Sequence, residues 1–317
     1  MITASAPGKC ILLGEHAVVY GHPAIAIALD MRSYCIIEEI DNENSVQFRI
    51  PDQDVNLNIN ITKDMDSEFP IQYKQFYEAM KALSEKHGIS FKKIRFHLQS
   101  DLWTGSGLGS SASISIAFIQ AIDRWFNLNL SSEEINAFGF LMEKRVHGTP
   151  SGIDNAICSE GGAILFQKNS WEKIVLSKFP ILVTYSGESH NTRSVIENLR
   201  KKKYRLEEDF EKIRRIVEEG VHVLKATKYE RLGELCTENQ EILAGLGLST
   251  PRIDQIITIS KNNGAYGAKL TGAGAGGSVI TLGDYKNLQK IQYFLKKKGY
   301  LNKLCYMDLK GVMIDSC

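Results

Sequence analysis

The sequence predicts an α+β fold of two lobes with a site in the cleft between them. Three observations predict it. Strand-forming runs dominate the first hundred residues, an almost uncharged segment at 111–126 follows, and a long helical stretch then gives way to alternating strand and helix. The chain has 317 residues, beyond the size at which single cores usually stop growing. The expected division is an N-terminal lobe over 1–175 and a C-terminal lobe over 176–317.

In the first lobe, β-rich runs at 2–6, 23–29, 33–40, 45–50 and 93–99 are separated by Gly, Asn and Asp. One helix interrupts them: Pro70 marks its start, Gly88 its end, and Tyr73, Phe76, Tyr77, Met80 and Leu83 recur at helical spacing between. Segment 111–126 is long enough for a helix and too apolar to lie outside, so it is expected to be the central buried helix. Ser131 and Glu134 make a capping box ahead of Ile135, Phe138, Leu141 and Met142, which starts a second helix running to about Val146. Strands are expected at 162–167 and 181–185. From about Arg193 to Asn262 the pattern is helical, with Leu206, Phe210, Ile213, Val217, Val221 and Leu224 on one stripe. Glu208 with Lys212 and Glu211 with Arg215 support its outer face. The run Arg200-Lys201-Lys202-Lys203 reads as a solvated helix face or loop, and the tail from 264 to 317 returns to strand and helix.

Composition narrows the function classes. Lysine and arginine total 38 against 37 aspartates and glutamates, a formal charge of +1, which argues against a nucleic-acid or membrane-surface partner. Hydrophobic residues make up 43% and charged residues 24%, enough for a core without metals or crosslinks. The cysteines (Cys10, Cys35, Cys158, Cys236, Cys305 and Cys317) form no CxxC pair, so reduced thiols and a cytoplasmic location are expected. The run Cys10-Ile11-Leu12-Leu13 is cut off by Gly14-Glu15-His16, so it is not read as a signal peptide, and no run approaches a bilayer-spanning length.

The chemistry concentrates in glycine-rich segments. Gly105-Ser106-Gly107-Leu108-Gly109-Ser110-Ser111-Ala112-Ser113 lies between a strand and the apolar helix, where backbone N–H groups and a helix N-terminus together suit a polyphosphate. No Gly-Lys-Ser/Thr ends it, so it is not a Walker A loop, and taken alone a glycine turn with a serine cap is about as good a reading. A second segment, Ser5-Ala6-Pro7-Gly8-Lys9 followed by Leu13-Gly14-Glu15-His16, sets three ionisable side chains among apolar strand residues, which is costly unless they line a cleft. The third, Lys269-Leu270-Thr271-Gly272-Ala273-Gly274-Ala275-Gly276-Gly277, contains a formal GxGxxG. A strand-like run at 278–282 follows where a dinucleotide fingerprint needs a helix, so close backbone approach to phosphate or to the other lobe explains these glycines better. Between them, Glu143 leaves a helix end and Asp154 follows in Gly148-Thr149-Pro150-Ser151-Gly152-Ile153-Asp154-Asn155; alone, Asp154 reads as a turn or cap residue and Glu143 as an exposed helix glutamate.

In this order, Pro7-Gly8-Lys9, Gly107-Leu108-Gly109-Ser110-Ser111 and Thr271-Gly272-Ala273-Gly274 resemble the GHMP kinase superfamily over nearly the whole chain. Gly14-Glu15-His16-Ala17-Val18-Val19-Tyr20-Gly21, the segment from His147 to Asn155, and Asn191-Thr192-Arg193 are similar to its mevalonate kinase branch. Two positions depart from the superfamily pattern: Trp103-Thr104 stands where a proline often precedes the phosphate loop, and Ala275 where the third motif usually has glycine.

The resemblance implies a two-lobed GHMP kinase fold that uses ATP and Mg²⁺ to phosphorylate mevalonate. It implies ATP phosphates on the backbone of Gly105, Ser106, Gly107, Leu108, Gly109, Ser110, Ser111 and Ala112, with Mg²⁺ held by Ser110 or Ser111 and by Glu143. Asp154 is implied as the group that accepts or orients the acceptor hydroxyl and Lys9 as its charged neighbour; Glu15, His16, Thr192 and Arg193 are implied as acceptor contacts. A homodimer is also implied. Phosphomevalonate as acceptor, transfer to another mevalonate hydroxyl, and a catalytically silent ligand sensor on the same scaffold are the alternatives.

Overall fold

A computed structural model describes residues 1–41, 44–61, 65–148, 150–188 and 203–315. Two sheets organise them. The larger has eight strands. Its path is β12-β1-β2-β5-β3-β4, with β6 paired to β2 and β7 to β6. Its members are β1 (Ile2–Leu13), β2 (Ala24–Glu39), β3 (Ser45–Ile50), β4 (Val55–Asn60), β5 (Ile94–Ser100), β6 (Ala163–Gln167), β7 (Ser170–Ile174) and β12 (Met313–Asp315). The smaller sheet runs β11-β8-β10-β9, built from β8 (Pro180–Tyr185), β9 (Gly267–Thr271), β10 (Ser278–Leu282) and β11 (Asn302–Tyr306).

The runs expected at 23–29 and 33–40 form one strand. Pro7 pairs with Arg32 but Gly8 with Leu29, so a bulge absorbs the exposed Asp30 and its neighbour Met31 without breaking the β1–β2 ladder. Strands β4 and β7 escaped the pattern because their outward positions are Asn-rich or charged and the apolar alternation is thin.

Helices cover the larger sheet. After a short α1 (Met65–Glu68), α2 (Lys74–His87) is entered through a 3₁₀ turn at Ile71–Tyr73 and stopped by Gly88 at φ 68°. Helix α3 (Ser110–Phe126) is the central helix, tied to the sheet where the Ser113 hydroxyl donates to the Ala6 carbonyl at 2.9 Å. Helix α4 (Ser132–His147) begins with the expected Ser131–Glu134 capping box. Phenylalanine rings knit helices to sheet: Phe48 to Phe96 at 5.0 Å, Phe96 to Phe118 at 4.8 Å and Phe76 to Phe118 at 5.0 Å. Asp154, expected as a turn or cap residue, lies in the first turn of helix α5 (Ile153–Glu160), whose cap position is Gly152 at φ 84° with no side-chain cap.

The helical stretch at 193–262 resolves into α6 (Lys203–Lys225), α7 (Tyr229–Gly245) and α8 (Pro251–Asn262), while its beginning lies outside the described residues. Thr227 at φ 54° breaks the first junction, and Thr250 caps α8 with Pro251 in its first turn. Leu206, Phe210, Ile213, Val217 and Leu224 are buried in this chain's own core, so the α6 stripe is used internally. That helix crosses β1 closely because Gly220 has no side chain; a Cβ there would lie 2.4 Å from Leu13 Cδ1. Helix α9 (Tyr285–Lys297), capped by Asp284, completes the second lobe. Among the described residues no helix is long and apolar enough to cross a membrane, and Cys10, Cys35, Cys158, Cys236 and Cys305 are free and buried.

The chain end returns to the first sheet, where β12 pairs with β1. Arg32 fastens it: its guanidinium pairs with Asp308 and donates to the Gly311 carbonyl at 2.7 Å, the Ser5 carbonyl at 2.9 Å and the Ser5 hydroxyl at 3.0 Å. Both charges are largely buried, so removing one leaves the other uncompensated. Arg32→Met is expected to cost about 3 kcal/mol in urea unfolding; an unchanged midpoint would show that the tail holds without this clamp.

Candidate active site

Lys9 lies within β1 and is almost fully buried, an expensive place for an ammonium group. Its charge is met by Asp154 in the first turn of α5, with Nζ 3.1 Å from Oδ1. Burial alone would push the Lys9 pKa down, but the adjacent carboxylate more than offsets this and holds it above its ordinary value. The ammonium is therefore charged at neutral pH. Asp154 keeps about a third of its side chain exposed, so one face of the pair is open.

Glycines make room for the lysine stem. A Cβ on Gly109 would lie 2.7 Å from Lys9 Cγ, and one on Gly8 would lie 2.5 Å from Leu102 Cδ2. The Lys9 N–H also donates to the Leu108 carbonyl at 2.9 Å, fixing the loop 105–109 against β1. Gly105, Gly107 and Gly109 all take positive φ (70°, 77° and 75°), a backbone alternation that turns N–H groups toward one concave face. Gly109 then occupies the cap position of α3 with no side-chain cap, which leaves the first N–H groups of that helix for an anion. Ser106 and Leu108 are buried and act as supports; the Ser106 hydroxyl donates to the Trp103 carbonyl at 2.6 Å. Ala112 is buried at the base of α3, whereas Ser110 and Ser111 stay partly exposed in its first turn.

Ser111 faces α4, and its hydroxyl donates to a carboxylate oxygen of Glu143. The two helices approach because Gly139, one turn before Glu143, lacks a Cβ that would sit 2.6 Å from Ile116 Cδ1. Glu143 is buried, not the exposed residue its helix position suggested, and burial pushes its carboxyl up to about 7; the Ser111 hydrogen bond opposes this and the Asp154 charge adds to it. A buried carboxylate beside a hydroxyl and a second carboxylate offers the hard oxygens that Mg²⁺ takes, an ion that fills its remaining positions with phosphate and water. No group of three or more His, Cys, Asp or Glu poised for a metal occurs among the described residues.

The third glycine segment packs on the first. A Cβ on Gly272 would fall 3.2 Å from the Gly107 carbonyl oxygen, so the two loops from opposite lobes touch backbone to backbone. Segment 278–282 is the strand β10, as the rejection of a dinucleotide reading required. Ala275 adopts φ 55°, a conformation a glycine would hold without strain. Trp103 stacks on Tyr185 of β8 with centroids 6.2 Å apart, bracing the base of the phosphate-loop segment against the second lobe.

His16 is buried, with φ 61° and ψ −47°, and the Ala17 N–H donates to the Glu15 carbonyl at 2.7 Å across it. That is a γ-turn of the rarer, strained hand. Its Nε2 lies 2.8 Å from the Ala273 carbonyl, which can only accept, so Nε2 carries the proton. Glu15 is enclosed completely and pairs with Lys269 of β9, behind the cleft instead of in it. Thr192 and Arg193 lie outside the described residues. Sequence reading missed Lys269, since a lysine in a strand next to a glycine run carries no sign that its partner is 254 residues away.

Residues 74–162 match the family model of the GHMP kinases N-terminal domain, and residues 221–301 that of the GHMP kinases C-terminal domain. The mevalonate kinase of Thermococcus sibiricus is 36% identical, with 99% of this chain and 98% of that protein covered. That of Pyrococcus furiosus is 33% identical over the same shares. Among solved structures, the mevalonate kinase of Methanococcus jannaschii superposes with a TM-score of 0.85 at 29% identity, covering 96% of this chain and 98% of that one. The L. major mevalonate kinase, solved in complex with R-mevalonate, superposes with a TM-score of 0.81 at 25% identity, covering 96% and 94%. Near-complete coverage at this identity, on a fold whose glycine loop 105–109 packs against both Lys9 and Gly272, places the chain in the mevalonate kinase family of the GHMP kinases.

Proposed function

We propose that the chain transfers the γ-phosphate of ATP to the C5 hydroxyl of (R)-mevalonate, giving 5-phosphomevalonate and ADP. The observation that carries this reading is the Lys9–Asp154 pair, 3.1 Å apart and open on one face, set beside an anion-binding loop in a chain of this family. The backbone N–H groups of the loop 105–109 and of the first turn of α3 hold the β- and γ-phosphates. Ser111 and Glu143, already joined by a hydrogen bond, hold Mg²⁺, with Ser110 beside them in the same turn. When bound, the ion neutralises charge on the phosphates.

Asp154 orients the acceptor hydroxyl and takes its proton as the O–H bond breaks and the new O–P bond forms; ADP leaves with the electrons of the old bond. Lys9 pairs with Asp154 and faces the charge that develops on the transferring group. His16 presents its ring from the loop that faces the second lobe, and Thr192 or Arg193 meets the acceptor carboxylate. ATP as co-substrate and buried free thiols fit a cytoplasmic site of action. Any homodimer uses a surface other than the α6 stripe.

A coupled ADP-release assay with mevalonate, 5-phosphomevalonate, galactose and homoserine tests the reading. Turnover on mevalonate alone, with phosphorus NMR placing the phosphate on C5, is the expected result; activity on another acceptor, or none from ATP-binding protein, overturns it. Asp154→Asn is expected to lower kcat by roughly 10²- to 10⁴-fold with ATP affinity little changed. Turnover within a few-fold of wild type would remove Asp154 from the proton path. Glu143→Ala is expected to raise the Mg²⁺ concentration at half-maximal activity by on the order of 10-fold, and an unmoved titration would take Glu143 out of the metal site.

A further inference from the structure

Behind the cleft lies a second buried polar cluster that the reaction does not use directly. Lys269, on β9 and fully buried, pairs with Glu15 and also donates to the Leu270 carbonyl at 2.7 Å. Asn239, on α7 and equally buried, accepts the Gly14 N–H on its Oδ1 at 3.2 Å. Two atoms of this cluster have no hydrogen-bond partner among the described residues: Glu15 Oε2, an acceptor, and Asn239 Nδ2, a donor. They belong to side chains fixed at consecutive positions of one turn, Gly14 and Glu15, and each supplies what the other lacks.

We propose that Lys269 and Asn239 are positioning residues that set the Gly14-Glu15-His16 turn for the acceptor. Asn239 holds the Gly14 N–H, Lys269 donates to Glu15 and to the Leu270 carbonyl, and the Leu270 N–H is itself held by Gln240 Oε1 at 2.9 Å. The turn is thereby gripped by the second lobe on two sides. It needs such a grip, because a non-glycine residue in a strained γ-turn persists only where its surroundings over-determine it. Gly14, at φ 103° with a Cβ that would sit 2.6 Å from Ala24 Cα, takes up the bend on the other side. A fully buried ion pair is an inefficient way merely to hold two lobes together, since well-packed apolar residues do as well or better. Its place one residue from His16 points instead to geometry.

This inference rests on the acceptor-side reading of His16, and its test separates the two. Steady-state kinetics on Lys269→Met, Asn239→Leu, Glu15→Gln and the double variant E15Q/K269M are compared with wild type. Each folded single variant is expected to lose on the order of 10-fold in kcat/KM for mevalonate with the KM for ATP little moved, and the double variant to be no worse than the worse single one. The double variant, free of an unpaired buried charge, serves where Lys269→Met does not fold, and Asn239→Leu leaves both charges in place. Normal mevalonate kinetics in folded variants, equal losses for ATP and mevalonate, or losses that multiply in the double variant overturn the proposal. A readout independent of substrate is the His16 Nε2–H resonance, expected to be slow to exchange in wild type and fast in the Asn239 and double variants. Unchanged protection overturns the positioning role even if wild type turns over a different acceptor, an outcome that would count against the proposed function alone.

Discussion

A lysine ammonium held inside a strand is the constraint from which the rest of this structure follows. Lys9 cannot remain charged there without an anion in contact, and Asp154 must therefore reach it from α5. Its stem needs space, so Gly109 has no side chain, and the same glycine then serves as the bare cap of α3. One geometric demand thus places the Lys9–Asp154 pair, the glycine loop 105–109 and an uncapped helix N-terminus together.

The second demand is that two lobes meet without a gap. Backbone contact between Gly272 and Gly107 achieves this at the loop 105–109, and the Thr271 hydroxyl does so at β1, accepting the Ile11 N–H at 2.9 Å and donating to the Ile11 carbonyl at 3.1 Å. Leu13 and Ile25 of the first lobe share a core with Phe210, Leu235 and Leu270 of the second. The lobes are therefore joined by a continuous apolar interior with a polar seam at the cleft. Movement of one against the other would have to break specific hydrogen bonds at that seam, which makes the glycine segments both the floor of the site and the limit on its opening.

Burial also gives similar residues different tasks. Asp154 keeps an exposed face, Glu143 is enclosed beside a hydroxyl and pushed up to about 7, and Glu15 is enclosed beside a lysine, its pKa raised by desolvation that the Lys269 charge opposes. Three carboxylates in one region thus differ because of their surroundings: one keeps an open face, one is enclosed beside a hydroxyl, and one is paired with a buried lysine.

What the sequence determined by itself was local. The Ser131–Glu134 box, the stop at Gly88, the α6 stripe and the central apolar helix depend on residues within a turn or two of each other, and each appears where the spacing put it. The glycine segments were legible as segments because glycine is required wherever φ is positive or backbones touch, and their order carried the family. Tertiary structure alone decided which lobe-to-lobe contacts those glycines permit, that Glu143 is buried while Asp154 is not, and that Glu15 belongs to Lys269. Short helix α5 and strands β4 and β7 were hidden for a local reason, since the helix starts without a side-chain cap and the strands have thin apolar alternation. Burial and charge pairing are properties of three-dimensional neighbours, and residues such as Glu15 and Lys269, 254 apart along the chain, share no local pattern that could announce them.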